Sequence, residues 1–168
     1  MIVKVIVGII AMIVGIVVGV YFCISQIVKP TVMELRKSRE LSNKHLKLYM
    51  LMNDWVYLKQ KGINLEKFFV DNGYRRIAIY GINYVGKALL NELSDTNVKV
   101  VVGIDKANGE ITDSLKIVKP EEFSEDVEAV IVTPITYFDD IADMMEKKTE
   151  AHIISIEDII YDLKYGVK

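Results

Sequence analysis

Between Lys4 and Lys29 the chain runs for 24 residues, Val5 to Val28, without one charged side chain. As a helix rising about 1.5 Å per residue, that stretch reaches roughly 36 Å, enough to cross a hydrocarbon core of about 30 Å. A cleaved leader would carry a shorter apolar region, about 7–15 residues, followed by a small-residue cleavage site. The residues that follow, Gln26-Ile-Val-Lys-Pro-Thr31, offer no such site. The sequence therefore predicts a retained single transmembrane helix over residues 1–28, and the rest must fold as what remains.

Orientation follows from the flanking charges. The amino-terminal side carries only Lys4 and the terminus, whereas the other side carries Lys29, Arg36, Lys37, Arg39, Lys44 and Lys47. The positive-inside bias then places the amino terminus outside and the carboxyl-terminal bulk in the cytoplasm, anchored to the cell membrane. A lone Cys23, within the apolar run, gives no disulfide framework and agrees with that side. The net charge of −2 conceals an asymmetry: residues 29–61 hold eight Lys/Arg against three Asp/Glu, and residues 62–168 hold twelve against twenty. The basic part suits the anionic headgroups of a lipid bilayer. An acidic domain without a basic stripe argues against nucleic acid as a partner.

Within the apolar run, Ala11, Gly15, Gly19 and Cys23 share one helical row, and Gly15 to Gly19 is a G-x-x-x-G. Small residues let two helices approach closely, so this face could form a homodimer, although glycine is common in membrane helices anyway. From Thr31 to about Gln60 the pattern is helical, with Pro30 well placed just ahead of it. Leu41, His45, Leu48, Met52 and Trp55 recur at spacings of three and four. The chain is apolar on all sides from Leu48 to Met52, which requires a cover. Either the neighbouring domain or a second copy, pairing through the Trp55 helix, would supply it. Gly62 breaks this helix, and Asn64 is expected to cap a short one through Phe69, stopped by Gly73. Residues 29–73 thus read as a juxtamembrane helical linker.

Residues 74–168 alternate between short Val/Ile runs and helical patterns. Strands are expected at Arg76–Tyr80, Val98–Ile104, Lys116–Val118, Ala129–Val132 and His152–Ser155. Helices are expected at about Tyr84–Leu93, Tyr137–Lys147 and Glu157–Leu163, with a helical turn from Pro120 to Phe123 and a turn at Asn108-Gly109. Strands that are apolar throughout are buried on both faces, and the alternation predicts an α/β fold, a small doubly wound parallel sheet of Rossmann-like type.

In such a sheet ligands bind outside the carboxyl ends of the strands, where the strand order reverses. The first strand ends in Gly81-Ile-Asn-Tyr-Val-Gly86, a glycine-framed turn that opens a helix. Gly81 permits the tight turn, Gly86 allows helix and strand to pack closely, and the helix beginning at Tyr84 directs free N–H groups at an anion. Asp105 lies nineteen residues past Gly86 at the end of the second strand, where an acid holds ribose hydroxyls. Thr133 would line the same crevice. Gly81, Asn83, Tyr84, Gly86, Asp105 and Thr133 are therefore the candidate ligand-binding residues.

Against this stands a purely structural reading. Asn83 replaces the middle glycine of G-x-G-x-x-G and is tolerated at positive φ, so it reads equally as a turn residue. Asp105 reads equally as a turn cap. Catalytic and metal-ligating constellations are lacking: the only histidines, His45 and His152, have no partners, and there is no P-loop. Tyr57-x-x-x-Lys61 has the spacing of the short-chain dehydrogenase pair, but it precedes the glycine turn instead of following it. Three classes remain: a nucleotide-binding accessory protein, a small NAD(P)-dependent sugar-nucleotide oxidoreductase or epimerase, and a ligand-free docking scaffold.

The run from Leu51 to Gly81, with Gly81-x-x-x-x-Gly86, Gly103-Ile-Asp105 and Val130-Ile-Val-Thr-Pro134, resembles uncharacterised proteins of Gram-positive surface-polysaccharide gene clusters. The same module resembles the CoA-binding-like domain of membrane-bound polysaccharide nucleotide-sugar epimerases and dehydratases, and the amino-terminal domain of some sugar acetyltransferases. The resemblance covers about residues 41–163. It implies a ligand such as NAD(P), CoA or a nucleotide sugar, and glycan-synthesis proteins as partners. It supplies no catalytic residue.

Overall fold

The computed structural model describes residues 1–106 and 115–166, and of Ile27 only the backbone. The turn expected at Asn108-Gly109 lies outside the described residues. The chain divides into two compact units, Met1–Leu48 and Tyr49–Lys168.

In the first unit, α1 (Ile2–Cys23) buries none of its residues and is long and apolar enough to cross a membrane. A Cβ added at Gly8, Gly15 or Gly19 would meet nothing within 4 Å, so that helix face is unobstructed. A π-helical turn, Ile24–Val28, joins α1 to α2 (Lys29–Gln60) with no intervening loop. Pro30 therefore lies inside a helical path rather than ahead of one. A proline there removes one backbone donor and crowds the carbonyl four residues earlier, and a widened turn at that place relieves both problems.

The second unit is built on a five-stranded parallel sheet: β1 (Arg76–Tyr80), β2 (Lys99–Ile104), β3 (Ile117–Val118), β4 (Ala129–Val132) and β5 (His152–Ser155). Its order is β3-β2-β1-β4-β5, so the chain builds outward from β1 in one direction and then in the other. β1 pairs with β2 through Tyr80↔Ile104 and with β4 through Tyr80↔Val132, which brings three strand ends level. The helices are α4 (Tyr84–Leu93), α5 (Phe138–Met145) and α6 (Ile156–Tyr165), with the short α3 (Glu66–Asp71) before β1.

Helices cover both faces of the sheet. Ala78, Tyr80, Val102, Ile104, Val130 and Val132 pack with Ile141 and Met145 of α5. Residues alternate across a strand, and on the other face a Cβ at Gly86 of α4 would lie 3.5 Å from Ile79. The central strands β1 and β4 are thus buried on both sides, apart from Arg76 at the start of β1, as their apolar composition requires.

The chain's own sheet unit covers one side of the Trp55 helix, while Tyr49 and Met50 remain exposed. Leu51, Trp55 and Leu58 of α2 are buried, Trp55 at 4% exposure. Trp55 Nε1 donates to Glu92 Oε2 of α4 at 2.6 Å, and the Leu65 amide donates to Glu92 Oε1 at 2.8 Å. Lys59 Nζ stands 3.3 Å from the same oxygen. The segment from Tyr49 to Gly73 therefore belongs to the same compact unit as the sheet. α3 corrects one expectation, since Asn64 does not cap it with its side chain. The helix begins at Glu66 after Leu65, because the Asn64 carboxamide oxygen accepts from Lys59 Nζ at 2.7 Å instead.

At the other end, Lys164 of α6 pairs with Asp54 of α2 at 2.7 Å. Hydrogen bonds that the Lys164 ammonium donates to Asp54 and then to Tyr165 push its pKa from 10.5 up to about 12. A raised lysine pKa stabilises below the ordinary value and is lost as pH rises through the folded one, so this tie holds through neutral pH.

Replacing Glu92 by Ala removes the acceptor of two buried donors at once. It should lower stability by about 2–4 kcal/mol, read as a fall in the urea midpoint of the detergent-solubilised chain.

Candidate functional site

The carboxyl ends of β1, β2 and β4 meet in a small interlocked cluster. Gly81 follows β1 at φ +88°, a left-handed conformation that a side chain would strain. A Cβ there would also lie 2.7 Å from the Pro134 ring and 2.9 Å from Thr133 Oγ1. Thr133 is 2% exposed, and its hydroxyl donates to the Gly81 carbonyl at 2.6 Å, with the Tyr80 carbonyl at 3.2 Å. Thr133 thus locks β4 to the loop instead of presenting its hydroxyl to a crevice.

Gly86 answers a different need. A Cβ on it would lie 2.2 Å from the Gly81 carbonyl oxygen, so only glycine lets α4 start this close to β1. On the β2 side, Gly103 makes room for Ile82, whose side chain would be 2.9 Å from any Cβ there.

Asn83 is the N-cap of α4, at φ −90° and ψ −161°. Its carboxamide oxygen accepts from the Val85 amide at 3.0 Å and the Gly86 amide at 3.4 Å. The positive-φ reading of Asn83 is therefore wrong. The residue is there as an acceptor for helix donors that would otherwise lack one. These amides are also the ones a pyrophosphate would use in a dinucleotide site.

Asp105 reaches across from the end of β2, and its Oδ2 accepts from the Ile82 amide at 3.0 Å. With Gly81 N donating to Ile104 O at 2.8 Å and Lys87 N to Asn83 O at 2.8 Å, much of the loop is bonded within the chain. Tyr84 stands outside this cluster at 90% exposure. Of the six residues the sequence singled out, five converge and one projects into solvent.

Sequence reasoning missed Tyr80. This last residue of β1 is 3% exposed, and among the described residues its hydroxyl has no hydrogen-bond partner. Burial first, then the charges of Asp105 and Glu121, raise its pKa. The one signal in the sequence was a phenol closing an otherwise aliphatic strand.

Among the described residues, open grooves in the sheet unit lie elsewhere. One, of about 630 Å³, is at the amino ends of the strands and includes Tyr74, Asp126, Glu128 and His152. The other, about 640 Å³, runs between α4 and β2 beside Lys87, Asn91 and Val98. Neither is lined by any of the six expected residues. Among the described residues no three His, Cys, Asp or Glu side chains cluster as metal ligands would. Compared with known proteins, the chain matches no family model and no curated protein.

Asn83→Ala should cost about 1 kcal/mol of stability and Asn83→Gly only a few tenths, because glycine leaves the cap open to water. Gly86→Ala should cost more than either, about 3 kcal/mol, through overpacking against the Gly81 carbonyl. Urea denaturation of the three variants orders them.

Proposed function

We propose that this chain is a single-pass membrane protein whose Rossmann-like α/β unit lies in the cytoplasm and binds a nucleotide or sugar-nucleotide. It acts as an accessory or regulatory component of surface-polysaccharide synthesis. The observation that carries the ligand reading is the bond from Ile82 N to Asp105 Oδ2 at 3.0 Å. It joins the glycine turn of β1 and the acid of β2 at the carboxyl ends of the strands, beside the β1/β4 position where the strand order reverses, the usual place for a ligand in such a sheet. The link to glycan assembly rests on the resemblance of residues 51–81 and of the three motifs that follow. The membrane reading rests on α1 and on the Lys/Arg excess after it.

Asn83 bears on the ligand. Its carboxamide already occupies two α4 amides, so the pyrophosphate of NAD(P), CoA or a nucleotide sugar would have to displace it to use them. The same observation favours a second reading, in which the unit is a ligand-free docking module and the loop is simply a well-capped turn.

Thermal denaturation of the solubilised chain with NAD, NADP, CoA, UDP-glucose or a CDP-sugar at about 1 mM separates the two. Binding in the range of tens of micromolar should stabilise by about 2–3 kcal/mol. No shift with any of them leaves the docking reading. For the orientation, a fluorescent protein fused after Lys168 should fluoresce and an alkaline phosphatase fused there should be inactive; the reverse result overturns the cytoplasmic placement.

A further inference from the structure

The outward side of α2 in the sheet unit carries no charge. Between Tyr49 and Gln60, the side chains turned away from buried Leu51, Trp55 and Leu58 are Tyr49, Met50, Asn53, Val56, Tyr57 and Gln60, all of them exposed. They recur at spacings of three and four around Asn53 and so share one helical face. The chain as a whole is 26% charged, and the solvent face of an ordinary surface helix is where such charges sit. An exposed face made of rings, methyls and amides has the composition of a covered one.

α6 continues this face. Lys164 Nζ lies 5.8 Å from the centre of the Tyr57 ring and 4.9 Å from that of Tyr165, and the Tyr165 and Tyr161 ring centres are 4.6 Å apart. Asp54 answers the Lys164 charge at 2.7 Å, so the surface left over is aromatic. Tyr49, Met50, Val56, Tyr57, Tyr161 and Tyr165 are between 43% and 69% exposed. An aromatic side chain buries about 150–250 Å² when fully covered, so four half-exposed tyrosines with Met50 and Val56 offer roughly 500 Å² of apolar surface. Since about 60% of a protein–protein interface is apolar, that corresponds to ~800 Å² per partner, the size of a standard stable interface.

We propose that this face is a two-fold interface between two copies of the chain. In such an interface each patch meets itself, and any charge near the axis faces its like. An uncharged face escapes that repulsion. Its polar members suit it as well: the Asn53 and Gln60 carboxamides and the tyrosine hydroxyls each donate and accept, so each can pair with its own kind. A different protein is ordinarily selected by complementary charge, and this face presents none to match. The sheet unit thus covers one side of the Trp55 helix, and a second copy covers the other. The inference is independent of any ligand at the strand ends.

Asn53 lies at the middle of the α2 face, so a nitroxide on Asn53→Cys, in a Cys23→Ser background, tests this in the full chain at low density in phosphatidylcholine vesicles. Packed helices lie about 8–10 Å apart, so the two labels should come within roughly 20 Å and broaden each other's spectrum. Tyr49→Glu combined with Val56→Glu should weaken the pair at least about tenfold and remove the broadening, because like charges then meet across the axis. Tyr161→Glu should do the same from α6, which keeps the test independent of how α2 tolerates its substitutions. All three side chains are at least half exposed, so the variants should unfold at the parent's temperature. No broadening in the labelled parent would overturn the proposal: label collisions with oxygen alone would put the face against lipid, and collisions with an aqueous nickel chelate would leave it to a different protein. Broadening that survives the glutamates but is lost in Gly15→Leu would also overturn it, since α1 would then make the dimer.

Discussion

Glu92 receives donors from two elements that do not touch the sheet through strand pairing: the indole of Trp55 in α2 and the backbone amide of Leu65 ahead of α3. Its side chain is 7% exposed, so these bonds form in an environment where an unpaired carboxylate would be strongly unfavourable. The Lys59 ammonium supplies the balancing charge. Without this acceptor, Trp55 and the Leu65 amide would be buried donors with no partner, and the Tyr49–Gly73 segment would keep its apolar contacts and the more exposed ties of Asp54 to Lys164 and of Glu66 to Asn97. The sheet's own core does not need Glu92; the seating of Trp55 and Leu65 against α4 does.

That attachment explains which parts of the architecture were legible beforehand. Strands β1, β4 and β5 fell at their expected residues because continuous Val/Ile runs between turn residues leave little alternative. α4 was equally readable, from Gly86 and the apolar spacing of Val85, Leu89 and Leu93. The Glu92 clamp was not readable. A glutamate near the end of an amphipathic helix looks like a solvated charge, and only its meeting with Trp55, 37 residues away, shows otherwise. The start of α3 failed for a related reason, since Asn64 had a competing donor in Lys59.

The strand-end cluster was legible in membership more than in role. Glycine spacing located Gly81 and Gly86, and distance along the chain located Asp105. What spacing could not supply was direction: Asn83 turned back onto its own helix, Thr133 onto the Gly81 carbonyl, and Tyr84 out to solvent. Tyr80 escaped notice because a tyrosine in a strand is ordinarily a packing residue whose hydroxyl reaches the surface.

The Asn83 cap also bears on affinity. A ligand that used the Val85 and Gly86 amides would have to displace the carboxamide already bonded to them. Exposed side chains change rotamer within picoseconds to nanoseconds, so that exchange would not slow association. Its cost would fall on the strength of binding, since each ligand bond to these amides would replace one the cap already makes.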